Sequence, residues 1–206
     1  MTLGRLSASQ EQTQNTFSFK WAKSETYDSQ EVRDEWRRWL LEKYFDGDET
    51  GPASLLSGSG LRILDAGCGA GISALLLFGE TLHKHEYVGV DISDAVVQAR
   101  HNFEEHGIPG TFIQANLQDL PEELGSFDVI FSEGVLHHTD SVQESLTYLA
   151  SQLNPGGRIA FYVYAKKAPI REFTDDMVRD FISNMTDEEA WDALMPLTAF
   201  GKLLGD

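Results

Sequence analysis

The sequence predicts an α/β fold, a doubly wound, mostly parallel sheet with helices on both faces. Three observations carry this. Five short apolar stretches of strand length alternate with stretches of helical periodicity between Leu61 and Tyr164. The first of them runs through Ile63-Leu64-Asp65-Ala66-Gly67-Cys68-Gly69-Ala70-Gly71, a strand passing into a glycine-rich turn and on into an apolar helix at Ile72. The intervening helices carry their own start and stop signals, among them Ser141 with Glu144 and the run Asn154-Pro155-Gly156-Gly157. Strands and helices in this alternation pair in parallel, and ligands then sit outside the carboxyl ends of the strands.

Each element follows from its residues. Residues 1–15, rich in Ser, Gln and Thr, are expected to be flexible. Phe17, Phe19 and Trp21 alternate with polar residues, which predicts a short segment pinned to the core by its aromatics, or a lid over a ligand. Ser29 caps a helix from about Gln30 to Phe45, with Val32, Trp36, Trp39, Leu40 and Tyr44 as its apolar stripe. Arg33, Arg37, Arg38 and Lys43 lie mostly elsewhere on it, on a face that is solvated or meets an acidic substrate. Asp46 to Gly60 has the composition of a linker, so residues 1–60 read as flexible segment, helical cap and linker.

The main domain is expected over 61–164. Its strands are Leu61–Asp65, Tyr87–Asp91, Thr111–Ala115, Phe127–Ser132 and Arg158–Tyr164. Helices run from about Gly71 to Leu82, then from a cap at Ser93 to a stop at Gly107, with Val96, Ala99 and Phe103 inward, then from Ser141 through Leu146, Leu149 and Leu153. Residues 165–206 read as helical. Thr174 starts a helix with Met177, Val178, Phe181 and Ile182 inward, Thr186 with Glu189 opens another that ends at Pro196, and Leu197, Phe200, Leu203 and Leu204 suit a last short one.

Composition narrows the function. The 206 residues are 41% hydrophobic and 24% charged, as in soluble globular proteins, with 33 acidic against 16 basic residues and a net charge of −17. That excess argues against nucleic acid or an anionic membrane as partner. Cys68, the one cysteine, has no partner for an internal disulfide, which suits a reducing, cytoplasmic setting. Met1 to Gln14 lacks an apolar signal core, and no apolar run approaches the ~18 residues of a membrane span.

The turn discriminates between two cofactor classes. A dinucleotide turn has glycines as G-x-G-x-x-G, which here requires glycine where Ile72 stands. The spacing is instead G-x-G-x-G, preceded by Asp65, an acid that repels a pyrophosphate and suits a ligand with an ammonium group. Asp91 ends the second strand 20 residues after Gly71 and can accept from the hydroxyls of a ribose. A helix-capping role is the plain alternative, but Ser93 supplies a capping side chain.

Asp65 to Gly71 together with Asp91 resemble the first motif and the ribose acid of class I S-adenosylmethionine-dependent methyltransferases. Ser126-Phe127-Asp128-Val129-Ile130 with Val135-Leu136-His137-His138 resembles their fourth-strand motif, and Leu153-Asn154-Pro155-Gly156-Gly157-Arg158 the turn before strand five. The resemblance covers roughly residues 61–164 and implies a Rossmann-like sheet and S-adenosyl-L-methionine as cofactor, with S-adenosyl-L-homocysteine as product. Carried over by position, Asp65, Ala66, Gly67, Gly69 and Gly71 hold the methionine part, with turn N–H groups toward its carboxylate. Asp91 takes the ribose and Ile92 packs on the adenine. Asn116, where the family often has Asp, and Leu117 meet the adenine edge, while Ser132 and Glu133 lie near the ammonium end. Gln12-Thr13 with Phe17-Ser18-Phe19-Lys20-Trp21 is similar to a segment preceding the catalytic domain in some bacterial methyltransferases of unassigned substrate, and implies that Phe19 and Trp21 cover the cofactor.

Methyl transfer is an in-line displacement in which alignment contributes on the order of 7–11 kcal/mol. A base is needed only where the nucleophile must lose a proton. His137 and His138 are the candidates, although a His-His pair here often only shapes the pocket. Tyr162 and Tyr164 read as core or rim aromatics on the substrate side. Nothing supports a metal site: His83 and His85 fall in a loop expected to meet solvent, and Cys68 is a packing residue. The family sheet has seven strands and only five are legible here, so the last two are apparently absent. The chain is therefore expected to be a shortened form of a protein that continues beyond Asp206, with residues 165–206 part of a substrate-covering insertion. The uncovered sheet edge is shielded by the terminal helices or by a second subunit, as in a homo-oligomer. The resulting expectation is a methyltransferase acting on a small molecule. A non-catalytic cofactor-binding or regulatory module is the alternative, and a nicotinamide-dependent oxidoreductase is disfavoured by Ile72 and Asp65.

Overall fold

The computed structural model describes residues 6–23, 29–165 and 168–205. The chain forms two compact units, residues 1–163 and 164–206, taken here one at a time. The first is built on five strands: β1 (Arg62–Ala66), β2 (Glu86–Asp91), β3 (Thr111–Gln114), β4 (Phe127–Glu133) and β5 (Leu153–Tyr162). All pair in parallel, in the order β3-β2-β1-β4-β5. The winding reverses between β1 and β4, so the crevice for a ligand opens at their carboxyl ends.

Helices cover both faces: α2 (Gln30–Phe45), α4 (Ile72–Phe78) and α5 (Val96–Glu105) on one, α6 (Val142–Ser151) on the other. The strands divide their side chains by the pleat. Ile63, Tyr87, Phe112, Val129 and Phe131 pack with Leu40 and Leu41 of α2, Leu77 and Phe78 of α4, and Phe103 of α5. Leu64, Val88, Val90 and Ile130 pack with Leu136 and Leu149 on the opposite side. A sheet buried on both faces explains why the strands are apolar throughout.

The described residues contain five strands of an α/β Rossmann-like sheet, within one or two residues of the predicted spans except at β5. That strand begins at Leu153, with a bulge in its first turn: Phe127 pairs with Leu153 and Val129 already with Arg158. Asn154 Nδ2 donates to Asp128 Oδ1 at 2.8 Å, tying the loop to the sheet, so the Pro-Gly-Gly run stays beside β4 instead of leading up to the strand.

The N-terminal expectation is corrected. Residues 8–22 are a helix, α1 (Ala8–Ala22), with Ser7 accepting from Gln10 N as its cap. The first five residues lie outside the described ones. Its Gln, Glu, Ala and Lys content supports a helix, and the alternation at 17, 19 and 21 is incidental. The predicted linker contains a short helix, α3 (Gly51–Leu55), anchored by buried Pro52 and Leu56. In α2, Trp39 is 54% exposed and Leu41 takes its place in the core. Gly79 ends α4 early, and a 3-10 segment continues to Lys84. Ser93 does not cap α5, whose N-cap is Ala95. His85 is buried, its Nδ1 accepting from Leu61 N at 3.3 Å.

The second unit consists of α7 (Pro169–Ile182) and α8 (Asp187–Gly205). Thr186 and Glu189 form the predicted capping box. The first helix begins at Pro169, not Thr174, and Met177 and Phe181 are exposed, not inward. Pro196 lies inside α8, which continues through it. The side chains of Leu203 and Leu204 lie outside the described residues. No helix among the described residues is long and apolar enough to cross a membrane.

Among the glycines of positive φ the tightest is in the turn after β1, where a Cβ on Gly67 (φ +86°) would lie 2.4 Å from both Val135 methyl carbons. Gly107 (φ +67°) has open space instead. Gly67→Ala is expected to lower stability by about 1–3 kcal/mol beyond the effect of Gly107→Ala, through overpacking added to the left-handed strain. Urea unfolding of the two variants beside wild type measures the difference.

Candidate active site

The turn between β1 and α4 is held in shape by its own hydrogen bonds. Gly67, Gly69 and Gly71 all have positive φ. The N–H groups of Gly67 and Cys68 donate to the Val90 carbonyl at 2.7 and 3.0 Å, and Gly71 N–H donates to Cys68 O at 2.8 Å. Gly69 N–H donates to Asp91 Oδ2 at 2.9 Å. Asp91 Oδ1 accepts from Ser93 N at 2.8 Å and Ser93 Oγ at 2.6 Å. Asp91 therefore locks the glycine turn of β1 to the loop leaving β2. The Ile92 N–H adds to these donors. Burial pushes the Asp91 pKa up, against the hydrogen bonds that lower it.

Two more carboxyls share this face of the sheet. Asp65, fully buried, accepts from the Tyr87 hydroxyl at 2.6 Å. Its pKa is pushed up to about 7, first by burial, with Asp91 and Glu133 adding repulsion and Tyr87 opposing. Glu133 pairs with Lys43 and accepts from the Tyr44 hydroxyl at 2.5 Å, both on α2. Lys43 lies 3.9 Å from the ring centres of Trp39 and Tyr162. Ser132 Oγ donates to Ala66 O at 2.8 Å, binding β4 to β1 beside the turn.

Helix α1 lies across these strand ends. Ser7 Oγ donates to Asp140, Gln10 Nε2 and Thr13 Oγ1 donate to His138 O, Gln14 Nε2 donates to Ile92 O, and Asp94 N donates to Ser18 Oγ. The Trp21 ring rests on Gly69, where a Cβ would lie 2.7 Å from the indole. Phe17 meets His138 edge-on at 4.9 Å. Phe17 and Trp21 are four residues apart and share a helix face, whereas Phe19 is turned about 160° from Trp21 and stands beside Lys23.

The remaining predicted residues are placed as follows. Ile92 is half-buried, while Leu117 is buried in the core with Ala115 and Leu120, leaving its backbone for any ligand contact. Asn116 Oδ1 accepts from Gln118 N at 3.0 Å, so part of its acceptor capacity is already engaged. The rings of His137 and His138 lie 4.1 Å apart, tilted by 48°. Burial, His137 and Lys20 together hold His138 down at about 4, so it is neutral and a weak base near pH 7. Burial lowers His137 as well. Cys68 is buried, and its thiol pKa is pushed well up. Lys20, Tyr44, Tyr87, Ser93 and the donors of α1 are not site residues in the sequence pattern, which gives Tyr44 to an apolar stripe, Tyr87 to a strand and Ser93 to a helix cap. A signal for the α1 donors was present: 7, 10, 14, 17, 18 and 21 fall on one helical face, but mostly as polar residues.

A parallel sheet with this order, a G-x-G-x-G turn and an acid ending β2 define a Rossmann-like methyltransferase domain. The chain belongs to that family, matching the family described as "Methyltransferase domain" over residues 57–200. It is 37% identical over 109 residues to O-methyltransferase rstn1 of Aspergillus nomiae, covering 52% of this chain and 48% of that protein. It is 32% identical over 100 residues to the tRNA U34 carboxymethyltransferase of Cellvibrio japonicus, covering 47% and 30%. The matched stretches span half or less of these curated relatives. Magnesium protoporphyrin IX methyltransferase of Synechocystis PCC 6803, solved with S-adenosylhomocysteine, shares the fold at a TM-score of 0.57 and 21% identity, covering 82% of this chain and 78% of that one.

Asp65 makes the site pH-sensitive. Because its folded pKa near 7 stands above the unfolded value near 4, the folded state holds the extra proton and stability falls as pH rises through this window. Asp65→Asn keeps an acceptor for Tyr87 and removes the titration. Its stability relative to wild type is expected to improve by about 2–3 kcal/mol between pH 5 and pH 8 in urea unfolding. A difference that does not move with pH would mean the carboxyl titrates normally.

Proposed function

We propose that the chain is the catalytic domain of an S-adenosylmethionine-dependent methyltransferase acting on a small-molecule acceptor. The observation that supports this best is the Asp91 carboxylate, which ends β2 beside the glycine turn and shapes that turn. The donor set fits the cofactor: carboxyls at 65, 91 and 133 suit an ammonium and a ribose, and they oppose a pyrophosphate. Bound there, S-adenosylmethionine supplies an electrophilic methyl group.

The chain's residues do the rest. Asp91 orients the ribose, Ile92 and the backbone at Asn116 and Leu117 border the adenine, and Asp65 and Glu133 provide the field for the ammonium. Trp21 and Phe17 exclude water from above, which strengthens these charge interactions. His138, neutral and edge-on to Phe17, shapes the acceptor side. The net charge of −17 supports a small acceptor over an RNA, although one relative is named for a tRNA nucleoside.

Calorimetry with S-adenosylhomocysteine tests the reading on wild type, Asp91→Asn and Ser93→Ala. Asp91→Asn is expected to bind at least 10-fold more weakly. Ser93→Ala loosens the same brace without touching the ribose and should lose only a few-fold. Equal affinity in wild type and Asp91→Asn would remove Asp91 from the site.

A further inference from the structure

Lys20 acts on His138 but has no partner of opposite charge among the described residues of the site. It is partly buried on α1, and burial lowers its pKa. Its ammonium lies 4.9 Å from the Trp21 ring centre and 5.4 Å from that of Phe17. Trp21 rests on Gly69 and Phe17 meets His138, so Lys20 stands between the glycine turn and the loop after β4. Its charge is felt at His138.

Among the described residues no carboxylate pairs with it. Glu133 is taken by Lys43 and Tyr44, Asp65 by Tyr87, Asp91 by Ser93 and Gly69, and Asp140 by Ser7. A partly buried ammonium set beside two aromatic rings, in a chain with 33 acidic residues, is a poor choice for stability alone. The turn sharpens the point. The N–H groups of Gly67, Cys68, Gly69 and Gly71 all bond within the protein, so they are not at hand for a ligand carboxylate. The family resemblance implies that turn N–H groups face that carboxylate, and these four are engaged elsewhere.

We propose that Lys20 is the carboxylate receptor of this site: its ammonium pairs with a carboxylate of a ligand held between α1 and the carboxyl ends of β1, β2 and β4. This rests on the reading of that crevice as the ligand site. The carboxylate belongs either to the amino-acid end of the methyl donor or to an acidic acceptor, and the two are separable.

Wild type, Lys20→Met and Lys20→Arg are titrated with S-adenosylhomocysteine and with its decarboxylated analogue, which keeps the amine. Methionine retains the packing of the lysine stem on the rings, and matching melting temperatures check this. If the donor carries the carboxylate, Lys20→Met binds S-adenosylhomocysteine about 10-fold more weakly, the analogue equally in all three, and Lys20→Arg recovers most of the loss. If the acceptor carries it, S-adenosylhomocysteine affinity is unchanged. Benzoate, a flat carboxylate able to lie along Phe17 and Trp21, then binds the saturated wild type and Lys20→Arg, but not Lys20→Met, while neutral benzamide shows no such difference. No difference between wild type and Lys20→Met in either arm overturns the proposal and leaves the crevice reading intact. Failure of wild type to bind S-adenosylhomocysteine overturns both.

Discussion

The hydrogen bonds converging on the Asp91 carboxylate are the constraint on which the site depends. A glycine turn with three left-handed residues has no strong conformational preference of its own. Asp91 gives it one, receiving Gly69 N–H on one oxygen and both donors of Ser93 on the other. Because β1 and β2 are adjacent parallel strands, their carboxyl ends are already side by side, with Ala66 opposite Val90. The sheet register thus brings the brace within reach, and the brace sets the shape of the crevice floor.

The same face collects three carboxyls near one another, an arrangement that opposes folding unless each is compensated. Each is treated differently. Asp91 stays supplied with donors, and Glu133 is matched by Lys43 and Tyr44 from α2. Asp65, with Tyr87 alone, shares its charge with a proton near neutral pH. A ligand cation among them relieves a repulsion that the fold bears by itself, which is one way for a protein to favour its bound state. Helix α2 is accordingly more than a cover: it supports one end of the site through Glu133 and packs Leu40 and Leu41 into the core at the other.

The fold was legible because a parallel sheet buried on both faces writes its strands as apolar runs, and because Ser29, Ser141 and Thr186 mark helix starts by side-chain chemistry. The β5 bulge was not, since Pro-Gly-Gly reads as a stop, while the Phe127–Leu153 pairing and the Asn154–Asp128 bond keep it alongside β4. In the site, Asp65, Asp91 and the glycines were visible from spacing. The role of Ser93 was misread, because a serine two residues after an acid is as good a capping residue as it is a partner for that acid. Helix α1 escaped notice because its inward face is written in Gln, Thr and Ser, and periodicity is normally sought in apolar residues. Lys20 was hidden for a related reason: a burial that no apolar pattern announces cannot be seen without the fold.

The attachment of α1 has a further implication for sequence change. Gln10, Thr13 and Gln14 donate to the carbonyls of His138 and Ile92, not to their side chains. A main-chain carbonyl is present whatever residue occupies the position, so these three bonds follow the path of the loops and not their side chains. The Ile92 side chain is thereby released from holding α1, whereas the His138 ring still meets Phe17 and the Asp140 carboxylate still accepts from Ser7. Substitution at 92 leaves these bonds in place, so the hold on α1 is divided between a main-chain part that tolerates sequence change and a side-chain part, at 138 and 140, that does not.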